Sequence, residues 1–285
     1  SVRYGSGGSG SFVSPNGLSM TNHHVALGCI QKISTESNDY VKNGFSARSQ
    51  AEEKACPDLE LNVLTSFEDV TKRVVGAVAS GASDKDAREA RKGAIAQIEK
   101  QCVDSTKSRC DVVPLYQDSE YWLYRYKKYT DVRLVFAPEQ DIAFFGGDPD
   151  NFVFPRYDLD VSFFRAYENG KPAQTPRYLK WSSNGAQEND LAFVSGHPGG
   201  TSRLYTTAQL RSDRDTQLPM ILANLKRRIA LLKKYSATSP EAARRATDRL
   251  FGAENGLKVF SGQYDALNNA KVMAKKEAEE KTFRD

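Results

Sequence analysis

Two adjacent histidines, His23 and His24, are the side chains of this sequence best suited to proton transfer. A histidine acts as a general base when a carboxylate fixes its tautomer and stabilises the imidazolium that forms. Two aspartates stand directly before short apolar runs, Asp141 in DIAFF and Asp160 in DVSFF, and either could supply that carboxylate. Aspartates are also common at turns and strand edges, so spacing alone leaves both assignments open.

The segment that leads to the histidines has the pattern of a β-hairpin. Residues 9–14 and 18–22 flank Pro15-Asn16-Gly17, and Pro and Asn-Gly are turn residues. If the second strand continues through His23 and His24, their imidazoles lie on opposite faces and only one faces a cleft. The plainer alternative is a surface histidine beside a buried one. Two such histidines are poorly placed to bind one metal ion, and the four cysteines form no C-x-x-C pair, so no metal site is predicted.

Composition limits the classes of protein to consider. The chain has 285 residues, of which 39% are hydrophobic and 27% charged, as in one large or two ordinary globular domains. No apolar run approaches the roughly 20 residues that span a bilayer, so no membrane span is expected. Residues 1–10 lack the apolar core of a secretion signal, and any signal is expected to have been removed.

Charge gives no support to a nucleic-acid partner. The formal net charge is only +4, although the residues from Tyr205 onward carry 16 Lys and Arg against 10 Asp and Glu. These basic residues are interleaved with acidic ones, as on an ordinary solvated helix face.

Hydrophobic periodicity predicts strands followed by helices. Alternating, aromatic or β-branched runs predict strands at 58–64, 121–126, 132–136, 142–145, 160–167 and 191–195. Helical spacing predicts a helix at 83–102 capped by Ser83 or Asp86, an apolar stripe over 218–232, a helix after Pro240 capped by Ser239, and a third stretch from near Asn255. Short strands in this number suggest a β-barrel or sandwich, and the helical part begins near Leu204.

Longer motifs resemble a known peptidase family. The string GSFVSPNGLSMTNHH resembles the histidine segment of chymotrypsin-like serine peptidases, and that alignment selects His24 as general base. The stretches NFVFPRYDLDVSFFRAYENGKPA, EYWLYRYKKYTDVRLVFAPE and VSGHPGGTSR are similar to the bacterial dipeptidyl peptidase 7 and 11 family. The likeness runs from about Gly7 to about Gly262. It implies a chymotrypsin-like β-barrel with an inserted α-helical domain.

The resemblance also assigns site residues. It implies that Asp160 is the acid that orients His24, with Asp141 as a structural or supporting acid. It places the binding of the substrate's free N-terminus on Asn151, Phe152 and Asn255. Phe152 stands where the family has tryptophan, so its aromatic face attracts a cation less strongly.

The same resemblance divides the chain into three parts. Residues 1–183 correspond to the first β-barrel with a helical insertion at about 83–102, residues 184–204 to the first strand of a second barrel, and residues 205–285 to a partial helical domain. The nucleophilic serine is expected in a later G-N-S-G-type turn. Gly7–Gly10 and Ser195 offer only superficial substitutes, so the 285 residues alone are expected to be inactive.

The predicted function is therefore that of an N-terminal part of a serine-type dipeptidyl aminopeptidase. Such an enzyme releases dipeptides from peptides with a free N-terminus, without a cofactor or metal, and the family suggests a homodimer of the full-length protein. The alternative is a non-catalytic homologue that binds peptides or acts as a scaffold.

Cysteine usage bears on the compartment. Cys102 and Cys110 bracket a short polar loop, and their spacing fits a disulfide and reduced thiols equally well. The resemblance to an exported family favours a Cys102–Cys110 disulfide, offers Cys56 as a partner for Cys29, and implies a periplasmic or secreted protein.

Overall fold

The computed structural model describes residues 1–5, 7–196 and 201–285. Its strands are β1 Val2–Tyr4, β2 Ser9–Phe12, β3 Leu18–Thr21, β4 Phe45–Ser46, β5 Lys54–Ala55, β6 Leu61–Asp69, β7 Arg109–Leu115, β8 Glu120–Tyr129, β9 Asp131–Ala137, β10 Ser162–Glu168 and β11 Lys171–Pro172. Its α-helices are α1 His23–Ile33, α2 Tyr40–Asn43, α3 Thr71–Val75, α4 Asp84–Thr106, α5 Thr207–Ser212, α6 Leu218–Ser236, α7 Pro240–Asn268 and α8 Ala270–Arg284. A 3-10 turn covers Gln50–Glu52, and a π-helical turn at Asp213–Gln217 joins α5 to α6.

The chain divides into two compact units that alternate along the sequence. The first comprises Ser1–Thr21, Glu53–Leu134 and Phe163–His197, and the second comprises Asn22–Glu52, Val135–Ser162 and Pro198–Asp285. This division differs from the predicted one at residues 183 and 204. The assignment of 1–183, 184–204 and 205–285 to two barrels and a helical domain stays a prediction.

An antiparallel sheet dominates the first unit. Its strand order is β9-β10-β3-β2-β1-β6-β8-β7, with β5 added to β9 and β11 to β10. The predicted hairpin is confirmed, since β2 and β3 pair with Gly10 opposite Thr21 and Phe12 opposite Ser19. A mixed β and α fold is therefore confirmed. A closed chymotrypsin-like barrel is not, because the strand pairings among the described residues leave the sheet open.

Helix α4 covers one end of this sheet. Its cap is the predicted Ser83, whose Oγ accepts a hydrogen bond from the Asp86 N–H at 3.2 Å. Its apolar side joins a buried cluster with α3, β7 and β8 that contains Val70, Val74, Ile98, Cys102, Cys110, Val112, Tyr121 and Leu123. The predicted Cys102–Cys110 disulfide is present and ties the end of α4 to β7. Cys29 and Cys56 are disulfide-bonded as well.

The second unit is mainly helical. Strand β4 pairs with the last residues of β9, and α6 packs along α7. The predicted stripe on α6 is confirmed, with Leu218, Leu222 and Ile229 buried. The predicted start of α7 is also confirmed, because Ser239 Oγ accepts from the Ala242 N–H at 3.1 Å. Asn255 does not begin a helix, since α7 continues unbroken to Asn268.

Two predicted strands are wrong. Residues 142–145 lie in a turn and the coil after it, where the Ala143 N–H donates to the carbonyls of Glu139 and Gln140. Their aromatic side chains pack on helices instead of in a sheet, with Phe144 against Phe251 of α7 and Phe145 against His24 of α1. Residues 191–195 have no regular secondary structure and no strand partner among the described residues, and Phe193 and Val194 are exposed. Within the motif VSGHPGGTSR, residues 197–200 lie outside the described residues.

Among the helices that the structure describes, none is both long and apolar enough to cross a bilayer.

The Cys102–Cys110 disulfide gives a first testable prediction. The two cysteines are 8 residues apart, and closing so short a loop in the unfolded chain corresponds to roughly 2–3 kcal/mol of stability. The double variant Cys102→Ser/Cys110→Ser should lose about that free energy of unfolding in urea titrations without reductant, so that Cys29 and Cys56 stay oxidised. A loss below about 0.5 kcal/mol would show that the linkage does not constrain the unfolded chain.

Candidate active site

The histidine pair lies at the start of a helix and not on a strand. Asn22 has extended dihedrals (φ −73°, ψ 151°) and is followed by α1, which opens with His23 and His24. The correction has a sequence signal, because His23, Ala26, Leu27 and Ile30 are buried at spacings of a helical stripe. His23 therefore faces the interior and is 2% exposed, while the His24 side chain remains 35% exposed.

Asp160 holds His24 at two points. Its Oδ2 lies 2.6 Å from His24 Nδ1, and its Oδ1 accepts a hydrogen bond of 2.9 Å from the His24 backbone N–H. That N–H is one of the donors at a helix start that have no partner within the helix. The same carboxylate therefore caps α1 and orients the imidazole that α1 carries.

Asn22 completes the surroundings of this carboxylate. Its Nδ2 donates to Asp160 Oδ2 at 3.1 Å and to the Asp160 carbonyl at 3.2 Å. Burial alone would raise the pKa of Asp160, but the hydrogen bonds from His24 and Asn22 outweigh it and lower that pKa. Asp160 is thus held as a carboxylate that accepts from His24 Nδ1, which leaves Nε2 as the free ring nitrogen for proton transfer.

Burial affects the neighbouring histidine in the opposite way. The pKa of His23 is lowered by desolvation, against the attraction of Asp160. His23 is therefore neutral at ordinary pH and belongs to the core. The sequence-based selection of His24 over His23 as the partner of Asp160 agrees with this geometry, and Asp141 lies exposed in the turn after β9.

The loop between β9 and β10 carries the remaining predicted site residues. Asn151 is 1% exposed, and its Nδ2 donates to Asn255 Oδ1 on α7 at 3.0 Å. Phe152, the next residue, has a left-handed backbone (φ 63°) and is 61% exposed. A bulky residue rarely adopts this conformation, and such strained positions cluster at functional sites.

Helix α7 holds the loop through one face. Phe251, Glu254, Asn255 and Lys258 follow helical spacing, and Lys258 Nζ donates to the Pro149 carbonyl at 2.5 Å. Gly146 permits the close approach, because a Cβ there would lie 2.6 Å from the Phe251 carbonyl oxygen and its φ of 119° is one that side-chain-bearing residues rarely adopt. The structure thereby brings together Asn151 and Asn255, which are 104 residues apart.

Sequence reasoning missed a cluster of charged residues in the same loop. Arg156 forms ion pairs with Asp148 at 2.8 Å and Asp158 at 3.1 Å, and both carboxylates are 10% exposed. Burial together with the carboxylates of Asp160 and Asp148 raises the pKa of Asp158, despite the nearby Arg156. A usable signal was present, since Arg156 is the one cation in the acidic stretch DPDNFVFPRYDLD.

Comparison with known proteins decides the family. The family model described as Peptidase S46 matches residues 1–285. The chain belongs to the peptidase S46 family. The predicted resemblance is therefore confirmed at the level of the family.

Several S46 relatives are similar over nearly the whole chain. A curated relative named dipeptidyl-peptidase 7 from Capnocytophaga gingivalis is 30% identical over 293 residues, which cover 99% of this chain and 41% of the relative. An Asp/Glu-specific dipeptidyl-peptidase from Shewanella putrefaciens is 30% identical over 285 residues, covering 96% of this chain and 39% of the relative. The chain thus spans about two fifths of the length of these curated relatives.

A solved structure of an S46 relative has the same fold. The crystal structure of Porphyromonas endodontalis DPP11 in complex with the dipeptide Arg-Asp matches with a TM-score of 0.86 and 27% identity. The match covers 99% of this chain and 43% of that one.

The hydrogen bonds that Asp160 accepts from His24 and Asn22 predict how the free energy of unfolding depends on pH. Because its pKa is lowered on folding, the carboxylate contributes stability that is complete above about pH 4–5 and is lost as the pH falls through the folded value. The free energy of unfolding of the wild type should therefore fall more steeply below about pH 4 than that of Asp160→Asn. Urea titrations between about pH 5 and pH 2.5 measure both slopes.

Asp141→Asn is the matched control, since it removes an exposed carboxylate from the turn after β9. It should keep the acid slope of the wild type. Equal slopes for the wild type and Asp160→Asn would contradict the lowered pKa.

Proposed function

We propose that the protein containing this chain is a serine-type dipeptidyl aminopeptidase that releases dipeptides from the free N-terminus of peptides. The observation that carries the proposal is the His24–Asp160 pair, in which a partly buried carboxylate accepts from Nδ1 and leaves Nε2 to act on a substrate. The names of the S46 relatives support it, since they are dipeptidyl-peptidases.

In this mechanism His24 acts first as base and then as acid. Its Nε2 takes the proton of a serine hydroxyl as that oxygen attacks the second peptide bond from the N-terminus. The imidazolium then returns the proton to the departing amine, and a dipeptidyl ester remains on the serine. Water, deprotonated by His24, attacks the ester, and the imidazolium returns that proton to the serine oxygen as the dipeptide is released. Asp160 stabilises the imidazolium and fixes the ring throughout.

The proposal assigns the nucleophilic serine to sequence outside these 285 residues. The G-x-S-G stretch at Gly7–Gly10 is a poor substitute, because Ser9 is the first residue of β2 and pairs with Arg3 across an antiparallel ladder. A nucleophile needs an exposed hydroxyl with backbone donors beside it, as at a sharp turn. The order of His24 before Asp160 along the chain is that of chymotrypsin-like peptidases, and we extend the proposal to that barrel ancestry.

Asn151, Phe152 and Asn255 are proposed to bind the α-ammonium group of the substrate. Among the described residues, the amide oxygens of Asn151 and Asn255 each accept one hydrogen bond, so each retains a second lone pair for an ammonium donor. The exposed ring of Phe152 offers its face for a cation–π contact. A free N-terminus is thereby recognised by both hydrogen bonding and charge.

An oxidising compartment fits the cysteines, all four of which are disulfide-bonded. We therefore propose a periplasmic or secreted protein, and a homodimer for the full-length form.

The catalytic assignment is tested with the complete gene product and a fluorogenic dipeptide amide. His24→Ala should abolish turnover, and Asp160→Asn should lower kcat roughly 10⁴-fold because the ring loses its orienting acceptor. Asp141→Asn should keep the activity of the wild type. The printed 285 residues alone should show no turnover. A fully active Asp160→Asn variant, or no dipeptide release by the complete product, would support a non-catalytic peptide-binding protein.

The ammonium site is tested at Phe152. Phe152→Trp should lower KM about two- to fivefold, since tryptophan gives the stronger cation–π contact, and Phe152→Leu should raise it. Phe154→Trp is the matched control, because Phe154 is 96% exposed two residues away and has no assigned role. An N-acetylated substrate should abolish the difference between Phe152→Trp and the wild type. Equal KM values for the two Phe152 variants would contradict the proposed contact.

A further inference from the structure

Arg156 lies between the two halves of the candidate site. Its Nη1 donates to Asn151 Oδ1 at 3.3 Å, on the side where the substrate's N-terminus is proposed to bind. Its Nη2 donates to the Phe144 carbonyl at 2.8 Å. A planar guanidinium with several fixed donors holds a loop more rigidly than a lysine ammonium does.

Phe145 continues the chain of contacts to the histidine. The Arg156 Cζ lies 5.2 Å from the centre of the Phe145 ring. That ring stacks on the His24 imidazole with centroids 4.1 Å apart and planes inclined by 14°. Arg156 and His24 thus contact the same aromatic ring, and side chains of one loop connect Asn151 to His24 through Arg156 and Phe145.

This loop needs such cross-links because it has no regular structure of its own. Residues 138–161 contain no helix or strand, and the Leu159 N–H closes the loop on the Ile142 carbonyl at 2.9 Å. Loops of this length without secondary structure are usually functional. Asp148 and Asp158 fix the guanidinium from within the loop, and the Gly146 N–H in turn donates to Asp148 Oδ1 at 2.9 Å.

We propose that Arg156 and Phe145 are positioning residues that hold His24 at a fixed separation from the Asn151 anchor, and so set the length of the released peptide at two residues. The inference rests on the proposed function. Two extended residues span about 7 Å, so a shift of one residue moves the scissile bond by about 3.5 Å. Misplacement by only ~1 Å can cost roughly 100-fold in rate, so the separation must be held closely.

The informative substitutions keep the charge or the apolar character of the side chain but remove the contacts that fix its position. Arg156→Lys keeps the positive charge beside Asp148 and Asp158 but loses the planar fork. Phe145→Leu keeps an apolar side chain but loses the stacked face, and Phe145→Tyr keeps that face. Arg165→Lys is the matched control. Arg165 is 14% exposed, pairs with Glu53 at 2.8 Å, and belongs to the first compact unit.

Kinetics of the complete gene product are the first readout. Phe145→Leu should lower kcat roughly 10- to 100-fold with little change in KM, because it disturbs only the base. Arg156→Lys should lower kcat and also raise KM, because it disturbs both the base and the anchor. When Arg156→Lys acts on a peptide with a free N-terminus, mass spectrometry of the products should detect tripeptides as well as dipeptides. Phe145→Tyr keeps the stacked ring and should therefore have the kcat of the wild type. Arg165→Lys should keep the kcat, the KM and the product lengths of the wild type.

Chemical labelling of the same proteins is independent of turnover. Carbethoxylation of His24 by diethylpyrocarbonate, measured by mass spectrometry, should be several-fold faster in Arg156→Lys and Phe145→Leu than in the wild type. Arg165→Lys should label at the wild-type rate. A wild type without dipeptide release would overturn the proposed function, while the labelling rates would still decide the positioning role. The positioning role is overturned if His24 is labelled at the same rate in Arg156→Lys, Phe145→Leu and Arg165→Lys. It is also overturned if the complete gene product is active and the three variants have the same kinetic constants.

Discussion

One carboxylate, that of Asp160, carries the local structure on which the candidate site depends. Its two oxygens accept from the backbone and the ring of the same residue, His24, so the helix start and the imidazole are fixed together. A helix N-terminus favours negative charge, and the hydrogen bonds to His24 keep the carboxylate ionised despite its burial. The contacts of Asp160 with the backbone and the ring therefore fix the start of α1 and the Nδ1 side of the imidazole together, two residues before β10 begins.

The irregular loop before β10 is ordered by an external helix and an internal cation. One face of α7 supplies Asn255 and Lys258 to it, and Gly146 lets the two backbones approach. Inside the loop, Arg156 neutralises part of an acidic cluster that would otherwise repel itself in a poorly hydrated setting. The guanidinium of Arg156 therefore lies among carboxylates while it contacts both Asn151 and Phe145, the residue whose ring stacks on His24.

Sequence reasoning recovered elements whose signals are local. The β2–β3 hairpin, the Ser83 and Ser239 caps and the α6 stripe follow from turn chemistry, capping and periodicity. It failed where tertiary packing overrides local preference. The apolar run at 142–145 reads as a strand but packs in a loop, and His23 and His24 open a helix although a strand precedes them. The pairing of His24 with Asp160 came from family resemblance, because spacing could not separate Asp160 from Asp141. The roles of Arg156 and Phe145 depend on contacts between residues that no sequence period links.

The double use of Asp160 also affects how homologous sequences are interpreted. A descendant that abandoned catalysis would still need an acceptor for the first N–H groups of α1, so selection for folding alone would retain the aspartate. The ring of His24 has no such second duty and could drift to another residue. Among homologues, an intact aspartate is therefore weak evidence of an active enzyme, and the state of the histidine position separates catalytic lineages from those that kept only the scaffold.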